Sequence, residues 1–199
     1  VNKLKKEYAV LNEAVGMLNA DNEISNIGNL GSCSLIHQEI LPYLNIVQSC
    51  KRPPNKCWGD KNLPVDIDGD LMFNDPNDGS RSYKLKDGSI IVLKCSGGGL
   101  NIYIDINGVR RPNRYGADIF SFYLFLAQDC LNNGYCARQN VSKLKDGKIY
   151  GGDHGPSYTT YSFLTRDEIL QNWCNKNQAG GCTVLIMLDG WEITKDYPW

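Results

Sequence analysis

Oxygen-bearing side chains cluster twice in this chain at spacings that suit either a hard cation or a tight turn. Asp66, Asp68 and Asp70 surround Gly69, and Asp105, Asn107, Asn113 and Asp118 punctuate the run from Asp105 to Asp118. A cation such as calcium collects carboxylate and carbonyl oxygens in this way. Read as an EF-hand, the first cluster fails, because its sixth position is Leu71 and its twelfth is Asn77. The stronger reading of both clusters is local. Asp and Asn side chains bond nearby backbone in turns, and Gly108 and Gly116 supply positive φ. The expected cofactor is none, with calcium the lesser reading at either loop.

Nucleophilic chemistry finds less support. No G-x-S-x-G elbow is present, and no cysteine sits in a thiolate–histidine pattern. His154, among Gly151, Gly152, Asp153 and Gly155, is the one histidine in a loop open enough to suspect, and an exposed loop residue is its simpler account. Ser96-Gly97-Gly98-Gly99 lacks the Lys-Ser/Thr of a phosphate loop. Arg110, Arg111 and Arg114 beside Tyr103 and Tyr115 form a small basic cluster that reads as a solvated turn before a polyanion contact. With 21 basic against 22 acidic residues the net charge is -1, so no overall field draws the chain to nucleic acid. Asn140-Val141-Ser142 matches a glycosylation acceptor and receives no role. The chain is therefore expected not to be an enzyme.

The eight cysteines are the firmest chemical signal. Their spacings do not suit zinc, and an even count along the whole chain reads as a disulfide framework formed in an oxidising compartment. Two short loops select themselves: Cys130 with Cys136 and Cys174 with Cys182. Cys33, Cys50, Cys57 and Cys95 keep three connectivities open, with Cys50–Cys57 preferred.

The elements that must carry these residues follow from periodicity. Val1, Leu4, Tyr8, Leu11, Val15 and Leu18 alternate steps of three and four, one stripe of a helix. The stripe is already in register at Val1 and lysines crowd the start, so the reading is a helix cut in mid-course, with 1–25 the C-terminal half of a longer one. A second helix is expected over Leu35 to Val47, capped by Ser32 or Ser34, with Pro42 at a kink or an early turn. Arg81 to Leu85 and Ser89 to Leu93 flank Asp87-Gly88 as a hairpin. Asn101 to Ile106 and Ile119 to Leu126 read as further strands of an antiparallel sheet. Residues 131–162 read as an irregular surface insertion. Thr165 to Glu168 is a capping box for a helix over Arg166 to Asn175, and Val184 to Leu188 fits strand or helix. The expected fold class is α+β, an amphipathic N-terminal helix on an antiparallel sheet stabilised by disulfides, in one domain over 1–199.

Taken together, the stripe at 5–14, Leu41-Pro42-Tyr43-Leu44 up to Cys50, the Leu85 to Gly88 turn, the block Asp105, Asn107, Gly108, Pro112, Asn113, Gly116, Asp118 and Phe120, and Cys182 to Trp191 resemble type IV pilin-like proteins, the minor pilins and pseudopilins. The likeness runs over most of the chain and is weakest over 131–162. It implies a pilin-like fold and a structural role in a type IV pilus or type II secretion filament. It implies an assembly face on the helix at Leu4, Tyr8, Leu11, Val15 and Leu18, with other pilin or pseudopilin subunits as partners. It also implies a removed hydrophobic segment that anchors the subunit in the inner membrane before assembly, and an extracytoplasmic location. Major pseudopilins bind calcium near the C-terminus, where this chain has only Glu192 and Asp196, which favours a minor or non-secretion pilin. The competing expectation is a secreted adhesive module, with Tyr135, Tyr150, Tyr158 and Tyr161 as a sugar-stacking face.

Overall fold

In the computed structural model, which describes residues 1–23, 27–96, 98–132, 143–152 and 163–199, helix α1 (Asn2–Asp21) buries the periodic stripe. Leu4, Leu11, Ala14, Val15 and Leu18 enter the core, and Tyr8 stacks between Phe122 and Trp191 at ring distances of 5.5 and 5.3 Å. The residues expected to meet neighbouring subunits therefore pack against the protein's own sheet. The opposite face of α1, with Lys5, Ala9, Asn12, Glu13, Gly16, Met17 and Ala20, is exposed.

The sheet has six antiparallel strands in sequence order: β1 (Ile46–Ser49), β2 (Arg81–Leu85), β3 (Ile90–Cys95), β4 (Gly99–Asp105), β5 (Ile119–Phe125) and β6 (Ile149–Gly151). Period-two alternation sends Tyr83 and Leu85, Ile91 and Leu93, Leu100, Ile102 and Ile104, and Phe120, Phe122 and Leu124 into the main core that also holds the α1 stripe. The other face is covered locally. Ile90 and Val92 pack with Cys57 and Trp58, and Tyr123, Phe125 and Tyr150 form a separate cluster with Cys130 and Leu144. Strands covered on both faces explain why β5 is buried along its whole length.

Several expected elements change at identifiable residues. The second helix is short: α2 (Cys33–Glu39) is capped by Ser32 Oγ, and a single 3-10 turn, Leu41–Tyr43, follows. Pro42 sits in that turn, because it lacks the N–H that a longer helix would need. Val47, assigned to the helix by spacing, lies in edge strand β1 and is 64% exposed. α1 stops at Asp21, short of residue 25, and the expected helix after Thr165 is α4 (Arg166–Asn172), three residues shorter than its pattern. Its capping box is present in both directions, with Thr165 N donating to Glu168 Oε2 at 2.8 Å and Glu168 N to Thr165 Oγ1 at 3.3 Å. The ambiguous Val184 run is helical, α5 (Cys182–Leu188). α3 (Ala127–Asn132) follows β5, and β6 makes 149–151 regular within the segment read as irregular.

Cys174–Cys182, Cys50–Cys57 and Cys33–Cys95 are bonded. Cys130 is disulfide-bonded too, while Cys136, its expected partner, lies outside the described residues, as do His154, Asn140 and Tyr135, Tyr158 and Tyr161. Among the described residues no helix is long and apolar enough to cross a membrane. The disulfides place the domain in an oxidising, extracytoplasmic environment.

Candidate functional site: the acidic corner between β4 and β5

The oxygen-rich block links two adjacent core strands, and its geometry follows from how β4 ends. Asp105 is the last residue of β4 and pairs across the ladder with Ile119, the first of β5. Its Oδ1 accepts from Asn107 N at 3.0 Å and Gly108 N at 2.9 Å, so the chain reverses immediately. Gly108 has φ +67°, and a Cβ there would lie 2.1 Å from the Gly88 carbonyl oxygen, so the turn packs directly on the β2–β3 hairpin. Asp105 Oδ2 accepts from Trp58 Nε1 at 2.6 Å, tying the corner to the Cys50–Cys57 loop.

Asp118 organises the return. Its Oδ2 accepts from Asn107 Nδ2 at 2.7 Å and from Asn113 N at 2.8 Å, and its Oδ1 from Arg114 N at 2.6 Å. Asn113 stands at φ +49°, a conformation that Asn tolerates better than most residues, and its Nδ2 donates to Asn62 O at 2.6 Å. The long loop before β2 is thereby fastened to the corner. Val65 N donates to Asn113 O and Tyr115 N to Val65 O, a short parallel bridge. Further along, a Cβ on Gly116 would come within 2.6 Å of Trp199 Nε1, and Tyr197 donates its hydroxyl to Gly116 O. The corner is thus the junction of the sheet, the 50–73 loop and the C-terminal tail. Phe120, the last residue of the block, points into the main core.

Electrostatically the corner holds two carboxyls out of water. Burial pushes Asp105 up to about 7, and the nearby Asp118 charge adds to it against the pull of the N–H donors. Burial also raises Asp118. Each carboxylate oxygen is met by N–H donors, the arrangement expected of a turn-forming Asx pair. Among the described residues no group of three or more His, Cys, Asp or Glu side chains stands close enough to hold a metal. At the other oxygen-rich loop, Asp66 Oδ1 accepts from the backbone N–H of Asp68 and Asp70, both at 3.0 Å, and Asp68 and Asp70 themselves are exposed. Both loops are held together by backbone bonds to their own carboxylates.

The basic cluster disperses into this scaffold. Arg111 donates to Lys61 O and Asn62 Oδ1, Arg114 donates to Ile67 O and lies 5.7 Å from the Trp199 ring, and Arg110 reaches Asn107 O. Each of the three is bonded to an oxygen of the corner or of the loop before β2.

Two other side-chain groups had no signal in the spacing. Glu7 of α1 is buried against Asp87 and Ser89 of the hairpin turn, with Ser89 Oγ 3.4 Å from Glu7 Oε1 and 3.2 Å from Asp87 Oδ2. Burial, followed by the hydrogen bond and charge of Asp87, pushes Glu7 up to about 7. Burial acts upward on Asp87 as well, but the hydrogen bonds from Glu7, Ser89 and Lys3 outweigh it and hold Asp87 at about 2. The other group is a polar cavity beside α2, formed by residues from three separate stretches, 34–41, 79–83 and Cys95. Compared with known protein families, curated proteins and solved structures, the chain matches none of them.

Proposed function

We propose that this chain is the globular part of a type IV pilin-like filament subunit, a minor or non-secretion pilin whose role is structural and involves no turnover. The observation that carries the reading is α1. It is a 20-residue helix laid along an antiparallel sheet, with one face in the core and the opposite face exposed along its length. That exposed face includes Ala9, Gly16, Met17 and Ala20, where a Cβ on Gly16 would meet nothing within 4 Å, so another helix can approach closely there. The acidic corner supports the reading from the other side of the sheet, since it is a positioning device for strands. Of the two C-terminal acids, Asp196 is ion-paired with Arg166 Nη1 at 2.9 Å, and the same guanidinium holds Asp189. Partners are then other subunits of the filament. The inner membrane would hold the subunit before assembly, through an apolar segment preceding α1.

The test is the coding sequence upstream of Val1. A short basic leader followed by about 20 to 25 apolar residues running in frame into α1 supports the proposal, because that length spans one bilayer. A cleavable signal peptide ending at Val1 overturns it.

A further inference from the structure

The cavity beside α2 has a volume of about 290 Å³ and is built from two walls. Ser34, His37 and Gln38 come from α2, spaced three and four residues apart so that they share one face. Arg81 and Tyr83 come from β2, two residues apart and therefore on one face of the sheet. Cys95 at the end of β3 closes the cavity, and its bond to Cys33 at the start of α2 ties that helix to β3, the strand paired with β2. Such a site is in place before any ligand arrives, which lowers the ordering cost of binding.

Its chemistry is one-sided. Arg81 is half-buried and donates Nη1 to Ser80 O at 3.0 Å, and among the described residues it makes no ion pair. The closest acid along the chain, Asp78, is taken by Ser80 and by Lys94 at 3.2 Å. Among the described residues no Asp or Glu lines the cavity. A guanidinium has five N–H donors in a planar fork, and among the described residues the one protein acceptor of Arg81 is the Ser80 carbonyl. Beside it Tyr83 Oη and His37 Nε2 lie 3.2 Å apart, and burial lowers the His37 pKa and favours the neutral ring. Ser34 and Gln38 add a hydroxyl and a carboxamide, while Leu41 supplies a small apolar wall. One fixed positive charge suits a single carboxylate better than a dianionic phosphate. The surrounding neutral donors and acceptors suit ring hydroxyls, and the volume lies near the lower limit for small-molecule sites.

We propose that this cavity binds one hexuronate unit, its carboxylate on Arg81 and its ring hydroxyls read by Tyr83, His37, Ser34 and Gln38. The site is independent of the filament reading and would serve an exported binding module equally.

The experiment is a two-dimensional amide NMR titration of the intact domain with sodium glucuronate, run beside glucose, acetate and the dipeptide glycylglycine. Saturable shifts confined to residues 34–38 and 81–83 are expected with glucuronate and absent with glucose. Acetate and the dipeptide should bind at least about tenfold more weakly, since neither offers ring hydroxyls. Arg81→Gln should weaken glucuronate binding about tenfold or more, the size of loss typical for a hydrogen bond to a charged group. Should Arg81→Gln melt early, the exposed pair Ser34→Ala and Gln38→Ala takes its place and should weaken binding as well. The proposal is overturned by shifts that never saturate or fall elsewhere, by equal binding of acetate or of the dipeptide, or by variants that bind like the parent.

Discussion

Asp118 shows how much one carboxylate can do when three donors converge on it. Replacing it with Ala would leave Asn107 Nδ2 and the backbone N–H groups of Asn113 and Arg114 without their acceptor. The expected loss is about 2 to 4 kcal/mol, read as a lower urea midpoint, because buried donors without partners carry their full desolvation penalty. Asp70→Ala is the control. Its side chain is exposed and only its backbone N–H and C=O are used in the 66–70 turn, so a change within about 0.5 kcal/mol is expected. Equal midpoints for the two variants would show that the corner does not organise the fold. The residue types of this corner were legible in the sequence, because Asx turns and glycines at positive φ are local. Its tie to Trp58 was not, since Trp58 Nε1 and Asp105 Oδ2 meet across 47 residues.

α1 meets the sheet through an acid pair as well as through its apolar stripe. Glu7 is raised to about 7 and Asp105 to about 7, so between the unfolded carboxylate range and neutrality the native state binds more protons than the unfolded chain. Stability is therefore highest on the acid side of that window and falls as pH rises through about 7. Asp87, held at about 2, has the opposite sign and acts only below about pH 4. The charges around Glu7 are Asp87, Lys3, which pairs with Asp87 at 3.2 Å, and Lys6 and Lys86 in the adjoining cavity. Glu7→Gln should flatten the decline of melting temperature between about pH 5 and about pH 8, and a slope identical to that of the parent would refute the assignment. Spacing revealed the stripe of α1 but not this pair, since Glu7 and Asp87 are both ordinary surface residue types. The same limit explains β1: three- and four-residue spacing ran through Leu41, Leu44 and Val47, yet Pro42 ends the helix and the chain turns to the sheet edge.

Across the whole molecule the disulfides divide by the length of chain they close. Cys33–Cys95 spans 62 residues and Cys174–Cys182 spans 8. Loop-closure entropy assigns them about 4 and about 2.5 kcal/mol. Removing the first as a Cys33→Ser, Cys95→Ser pair should lower the denaturation midpoint more than removing the second in the same way, and the reverse order would contradict an entropic account. Short loops such as Cys174–Cys182 were readable from spacing, whereas Cys33–Cys95 depends on how α2 lies on β3. The sheet itself has a consequence for the order in which the protein can form. Every strand from β2 onward pairs with the one before it in the chain, so a polypeptide emerging N-terminus first can add strands one at a time, never waiting for a distant partner. α1 precedes the whole sheet, so its apolar stripe is held in reserve until β5 supplies Phe122 and the segment after α5 supplies Trp191 on either side of Tyr8.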